Sequence, residues 1–566
     1  MKKRNIRRCV IGILALLLLG LISSRYFFRI DLTTEKRYTL SDETKHILRQ
    51  LDAPLYLDIY LDGEMPAEFR RLKNNVREIL DDFKSYSRDR LSYHFINPSD
   101  AVDTKDREHF YQELEKIGLR KTSVNITNKD GNLSQQTIFP GTVISYKDRM
   151  VAVNLLSDNR VLSPDVILNA SIESLEYELI KAIHLLSVDS IGKIAFIIGH
   201  GELSRAETYD FAFECANSHD VDRKIIDGQI DALDDYKAII IAKPQKAFEE
   251  KDKYIIDQYI MRGGKVMWLM DAVDVNTDSL FSIGYTFALA SQLNLEDQLF
   301  NYGVRVNPYL IQDVNNNGIP VTLADGSSQP TPAPWLYYPV VTPSANHVIT
   351  RYLNPVWLRY ANDIDTVGSS SDITKTVLLQ SSQISRIKTA PFMIYLDEVT
   401  QIIDKKQFNK PHRITAVLLE GKFPSLYRSR NAKSLFPDLD KKQITSSVET
   451  KMIVVSDGDI ARNDVRNTPQ GQVASTNPLG YDRYSRHPFG NKDFLVNAVD
   501  YLTDDAGLMK LRNREFQLRL LNKQKVAKEQ VKWQIINVVL PVILIICGGI
   551  LYGRWRKYKY GRIIGR

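Results

Sequence analysis

The chain has 566 residues, 43% of them hydrophobic and 25% charged. Those proportions exclude a disordered or fibrous protein, and the length requires two or three folded units. The net charge of +7 does not mark a nucleic-acid-binding surface, because eleven basic groups lie in the first eight and last thirteen residues, where there is no acid. The body between them is mildly acidic and the basic ends flank apolar runs, which is the pattern of a membrane protein.

Residues 1–8 form a basic tail (Lys2, Lys3, Arg4, Arg7, Arg8), followed by sixteen uncharged residues from Cys9 to Ser24. With Arg25 snorkelling and Tyr26–Phe28 added, 9–28 reach about the 20 residues that cross a bilayer. The run reads either as a retained anchor or as a signal peptide with Ile22-Ser23-Ser24 as a weak cleavage site; the anchor is adopted. Residues 31–160 read as a small α/β unit. Ser41 caps a helix with Asp42 and Glu43 in its first turn, and Leu55–Leu61 alternates apolar and polar as a half-buried strand does. Phe69–Tyr86 carries a helical stripe at Leu72, Val76, Ile79, Leu80 and Phe83, Leu91–Ile96 is a second strand, and Thr142–Leu156 an edge hairpin. This order resembles a thioredoxin-like fold. It has no Cys-x-x-Cys, so redox chemistry is excluded.

A polar stretch at Ser157–Asn169 and a helix at Ser171–Leu186 lead into a second unit, 170–505. Strand Ile191–Gly199, helix Ser204–Asn217, strands Val221–Ile226 and Tyr236–Ala242, helix Glu249–Met261 and strand Lys265–Asp271 alternate, which predicts a doubly wound α/β sheet. The apolar run of the first of these strands predicts burial on both faces. Between about 272 and 382 Pro and Asn accumulate, predicting a large insertion with strands of its own, including Trp335–Val341. The sheet resumes at Thr415–Gly421 and Lys451–Asp459, before a helix from Asn491 to Thr503.

Residues 506–532 carry eight Lys or Arg against two Glu and read as a basic amphipathic stalk, with Leu508, Leu511, Leu518 and Leu521 on one apolar face. That face is a candidate partner-binding element. Trp533–Tyr552, twenty uncharged residues with aromatic ends, predicts a second transmembrane helix. Within and just after it, Gly548, Gly549 and Gly553 would let a partner helix approach closely. The tail 553–566 is basic. By the positive-inside rule the tail before the first span stays in the cytoplasm. Two spans then place both termini in the cytoplasm and the body in the periplasm, with membrane lipid and no nucleic acid as a neighbour.

Motifs for chemistry are sparse. There is no G-x-x-x-x-G-K-[ST] phosphate loop, no G-x-S-x-G elbow, no H-E-x-x-H and no paired C-x-x-C. The best candidate site is Gly199-His200-Gly201-Glu202 after a buried strand, joined by Asp271, Asp457 and Asp459 after two others, since ligands of open α/β sheets bind at the carboxyl ends of strands. His200, Glu202, Asp271, Asp457 and Asp459 together would suit a metal or acid–base chemistry. In the simpler reading the glycines make a tight turn, His200 hydrogen-bonds the loop and the aspartates cap helices or turns. No catalytic residue, metal or cofactor is assigned. Cys9 and Cys547 lie in the spans, and Cys215 falls inside a predicted helix, so it reads as a buried structural thiol.

Several stretches taken together resemble a known family: Lys36-Arg37-Tyr38-Thr39-Leu40-Ser41, Ile198–Leu203, Asp297–Asp313 (DQLFNYGVRVNPYLIQD), Leu418–Tyr427 (LLEGKFPSLY), Lys451–Asn463 and Phe489–Leu502. Their order is similar to that of the GldG family, gliding-motility-associated auxiliary subunits of ABC transporters in the Bacteroidetes, often labelled substrate-binding. The resemblance implies a non-enzymatic inner-membrane subunit working with a separate permease and, through it, a separate ATPase. It carries over no ligand or catalytic residue. The GHGE region also looks like the start of a glutamine-amidotransferase-like domain shared with some intraflagellar-transport proteins, without the nucleophilic cysteine. Two other functions fit the residues: a membrane-anchored hydrolase or metal enzyme using the His200/Glu202/Asp457 edge, and a purely structural scaffold.

Overall fold

A computed structural model describes residues 39–560 apart from 101–103, 128–132, 158–162, 189–190, 322–329, 345, 369–371, 431–435, 437–441, 468–472 and 514–522. The basic tail 1–8 and the first apolar run, 9–28, lie outside the described residues.

The chain begins with α1 (Asp42–Gln50), β1 (Leu55–Ile59), α2 (Ala67–Tyr86) and β2 (Leu91–Phe95). The hairpin of β3 (Gly141–Tyr146) and β4 (Arg149–Asn154) follows, then α3 (Pro164–Ser187). Ser41 caps α1 as its sequence predicts, its Oγ accepting the Thr44 N–H at 3.0 Å. The sheet order is β2-β1-β3-β4, with β1 parallel to β2 and antiparallel to β3. Leu55, Leu57 and Ile59 point to the same face as the α2 stripe Leu72, Val76, Leu80 and Phe83, and all are buried together. A helix at Thr104–Lys116 and an antiparallel pair of strands, Thr122–Thr127 and Leu133–Ile138, lie between β2 and β3 in the chain, where the sequence gives no strong periodicity. The polar stretch read before α3 is shorter than expected, because Pro164 in the first turn after Ser163 starts the helix early.

The second sheet has ten strands. In chain order its elements are β5 (Lys193–Ile198), α4 (Tyr209–Ala216), β6 (Asp220–Ile225), β7 (Ala238–Ala242), α5 (Glu250–Met261) and β8 (Lys265–Leu269). Then come α6 (Glu296–Tyr302), β9 (Val304–Asp313), β10 (Asn362–Thr366), β11 (Ile373–Gln380), β12 (Ser385–Thr389), β13 (Ile414–Gly421), β14 (Thr450–Val455) and α7 (Asn491–Thr503). The strand order is β12-β9-β10-β13-β14-β8-β7-β5-β6, with β11 also paired to β13. Five strands, β14-β8-β7-β5-β6, are mutually parallel. Alternate residues of these strands enter two different cores: Ile194, Phe196, Met267 and Ile453 pack with α3, α4 and α7, while Ala195, Ile197, Trp268 and Val454 pack with α5. That two-sided burial is why β5 reads as a continuous apolar run.

Two expectations change. Residues 272–382 do not stand apart as an insertion, since β9, β10 and β11 from this stretch join the main sheet as its antiparallel half. Smaller sheets also form, among them one of Val273–Val275, Tyr285–Ala290 and Phe392–Tyr395. The stalk begins later than expected. Leu508–Asn513 is a 3-10 helix in which Leu508 and Leu511, three residues apart and so on one side, are 5% and 6% exposed in the body's own core. They are therefore not an open partner-binding face. Leu518 and Leu521 lie outside the described residues.

The described residues before 514 form one compact unit, and a single core runs from Leu40 through both sheets to Leu511. Both ends of that unit fasten to α3. Glu176 accepts the Ser41 N–H at 2.8 Å and the Thr44 hydroxyl at 2.7 Å. The neighbouring Tyr177 hydroxyl reaches Met509 Sδ at 2.9 Å, and the Arg512 guanidinium lies 5.5 Å from the Tyr177 ring.

The second unit is the helix α8 (Lys523–Tyr560). Its stretch Lys532–Tyr558, 27 residues that include an 18-residue window of mean hydropathy 2.6, is long and apolar enough to cross a membrane. It is the one such helix among the described residues. Pro541 sits inside it.

Candidate functional site

The carboxyl ends of β5, β8 and β14 carry the predicted site residues, which fall in two separate groups. After β5, Gly199 (φ +129°) and Gly201 (φ +78°) occupy backbone regions that disfavour a Cβ, which folds the GHGE turn tightly. His200 is thereby held with its N–H on Glu202 Oε2 at 2.7 Å, Nδ1 3.3 Å from Glu202 Oε1 and Nε2 3.0 Å from Asp252 Oδ2 on α5. Its ring stacks on Phe248 at 3.7 Å, and its carbonyl accepts the N–H groups of Gln245 and Lys246, each at 2.8 Å. Burial by itself lowers the imidazole pKa, but the two carboxylates outweigh it and hold it up at about 9.

The second group centres on Lys243, the residue after β7. Its ammonium lies 3.3 Å from Asp271 Oδ2 and against Asp459 Oδ2. Asp271 Oδ1 accepts the Gly458 N–H at 2.6 Å. Asp457 accepts the N–H groups of Asp459 at 2.8 Å and of Arg359 at 2.7 Å, capping the turn that follows β14. A Cβ on Gly458 would stand 2.7 Å from the Lys243 side chain, so the glycine of SDGD is what lets the two turns meet. Burial raises the carboxyls of Asp271 and Asp457 above the usual range, Asp457 furthest, with the charges of its two neighbours adding to the effect. Asp459 is buried too, yet Lys243 and Arg462 pull it down to about 2. Around this core Arg462 reaches Glu207 at 3.1 Å. Arg359 pairs with Asp464 at 2.9 Å and lies 4.1 Å over the Trp357 ring.

The five predicted residues therefore do not converge. Both ring nitrogens of His200 are occupied by Glu202 and Asp252. The space between Asp271 and Asp459, where a metal would sit, holds the ammonium of Lys243. Among the described residues no group of His, Cys, Asp and Glu is arranged to hold a metal ion. What the arrangement does is lock the ends of four strands to one another with buried, satisfied charges. Lys243, Arg359, Asp252 and Phe248 were missed from sequence; the available signal was a Lys-Pro directly after the buried run Ala238–Ala242.

Cys215 lies inside α4 at 1% exposure, and burial, helped by the Asp500 charge, pushes its thiol well up. In a chain whose Cys9 and Cys547 are replaced by serine, a thiol reagent should leave the native protein unmodified and label it fully once denatured. Stoichiometric labelling under native conditions would contradict this burial. In the second unit, a Cβ on Gly548, Gly549 or Gly553 would meet no atom of the described residues within 4 Å.

The molecule is thus a mixed α/β protein whose strand ends are tied by ion pairs, with one candidate membrane helix after the body. The family described as an ABC-type uncharacterized transport system matches residues 192–498, more than half of the chain. The chain belongs to that family of transport auxiliaries, and its role is transporter-associated. A domain family of unknown function, DUF7088, matches residues 34–145. An uncharacterized protein of Borreliella burgdorferi is 20% identical over 571 aligned residues, 98% of this chain and 99% of that one. A solved structure, the mmIFT52 N-terminal domain, aligns with 55% of this chain and 97% of its own length at 12% identity and a TM-score of 0.31.

Proposed function

We propose that this protein is a non-enzymatic, membrane-anchored auxiliary subunit of an ABC transporter complex, acting beside a separate permease and a separate ATPase. Its body lies in the periplasm and both termini in the cytoplasm, with 9–28 and α8 as the two spans. The complex supports gliding motility, as the resemblance to GldG implies. On this reading the first unit is thioredoxin-like, and the second is a doubly wound, glutamine-amidotransferase-like domain put to structural use. The observation that carries the proposal is the apolar helix Lys532–Tyr558, long enough to cross a membrane, in a chain of the transport-auxiliary family. The chain has no phosphate loop of its own. It can take part in an ATP-driven cycle only through subunits that have one, and a periplasmic body reaches those only by way of membrane helices.

The test is co-purification of the full-length chain in detergent, with mass spectrometry of what accompanies it. Permease and ATPase subunits should be recovered. Gly549→Leu puts a bulky side chain where helices would approach and should cut permease recovery about tenfold, whereas His200→Ala should leave it unchanged. Full recovery by a chain lacking both spans would place the interface elsewhere and overturn this reading.

A further inference from the structure

Two stretches singled out in the sequence, Asp297–Asp313 and Leu418–Tyr427, have no part in the strand-end locks, yet they meet. Together they line most of an open cleft of about 970 Å³ between α6 and the segment after β13. One wall is built by alternation. Phe423, Ser425 and Tyr427 turn inward and are fully buried. The Ser425 hydroxyl donates to Asp257 at 2.6 Å, the Leu426 N–H donates to the same carboxylate at 2.9 Å, and the Tyr427 hydroxyl donates to Glu250 at 2.9 Å. The intervening Lys422, Pro424, Leu426 and Arg428 must then line the cleft. Across from them stand Arg305, at the start of β9, and Phe300, 57% exposed on α6. Asn301 ties the walls together by donating to the Pro424 carbonyl at 2.6 Å.

Arg305, Lys422 and Arg428 make no ion pair with any described residue, and the hydroxyls of Thr445 and Ser446 at the cleft make no hydrogen bond to one. Elsewhere in this half of the sheet the arginines are engaged: Arg413 with Asp363, Arg386 with Gln312 and Gln407, Arg430 with Glu250. The cleft also holds acids. Asp297 is taken by Lys253 at 2.8 Å and Asp372 has a partner of its own, which leaves Glu296 alone against three unpaired cations. The volume falls within the range of small-molecule sites.

We infer that this cleft binds a small ligand bearing a phosphate or carboxylate group next to an apolar or ring portion. Arg305, Lys422 and Arg428 take the anion, with the two hydroxyls beside them, and Phe300 and Leu426 take the apolar part. Because the cleft lies within the soluble body, the inference stands independently of the membrane topology and of the partner subunits.

Calorimetric titration of the full-length chain in detergent tests it with three probes: inorganic phosphate, phenyl phosphate and benzoate. Saturable binding at one site is expected, strongest for phenyl phosphate if the anion is a phosphate and for benzoate if it is a carboxylate. Arg305→Ala and Arg428→Ala should each weaken binding about tenfold, the loss of one charge-assisted contact. Phe300→Ala should remove the advantage of phenyl phosphate over inorganic phosphate. Lys406→Ala, an exposed cation outside the cleft, should change nothing. All four side chains are exposed, so unchanged thermal unfolding will verify each fold. No saturable binding of any probe, or binding that survives Arg305→Ala/Lys422→Ala/Arg428→Ala, would overturn the inference.

Discussion

Replacing Lys243 with alanine is expected to cost about 3–5 kcal/mol of folding stability, the range for breaking a buried ion pair by removing one partner. The substitution leaves Asp271 and Asp459 buried side by side without the ammonium that lies against both. It also loosens the ends of β7, β8 and β14 at once. Urea unfolding followed by the fluorescence of Trp268, fully buried in β8, measures the loss. Combining Lys243→Met with Asp271→Asn and Asp459→Asn removes the charges together and should recover most of it. A loss under 1 kcal/mol for the single variant would show that solvent already screens these carboxylates.

The second large effect is a pH dependence carried by His200. Its imidazole titrates near 9 in the fold against 6.5 for an unperturbed side chain, so it holds its proton more tightly folded than unfolded. The stability it contributes is complete below about pH 6.5 and disappears as the pH climbs through 9. That contribution is worth about 2–3 kcal/mol, taking the full shift as an upper limit. Unfolding free energies of the unaltered chain should fall by roughly that amount between pH 6 and pH 9.5 relative to His200→Gln, which keeps a hydrogen-bond donor but does not titrate there. Parallel pH profiles for the two proteins would mean that the Glu202–His200–Asp252 bridge carries no net charge coupling.

What the sequence revealed and what it hid divide along physical lines. Local signals were legible: the Ser41 cap, the alternation of Leu55–Ile59, the two-sided burial of β5 and the glycines of the turn after it all depend on neighbours within a few residues. The simpler reading of the candidate site, with glycines turning, His200 bonding its loop and Asp457 capping a turn, matches the geometry better than the metal or acid–base reading. Lys243 stayed hidden because its partners Asp271 and Asp459 are distant in sequence, and charge pairing of that kind leaves no periodicity. The antiparallel half of the large sheet was obscured for a different reason. Its strands carry residues such as Pro308 and Asn362 that read as loop, while their pairing is set by register with distant strands. The leucines at 508 and 511 show how far an apolar stripe can inform. It says that something covers that side, and here the cover is the body itself.

The attachment of both ends of the body to α3 has a mechanical meaning. Residues 41–44 are held by Glu176, and 509–512 by Tyr177, which are adjacent in the chain. A tension applied between residues 41–44 and 509–512 would therefore find its shortest path through about one turn of a single helix.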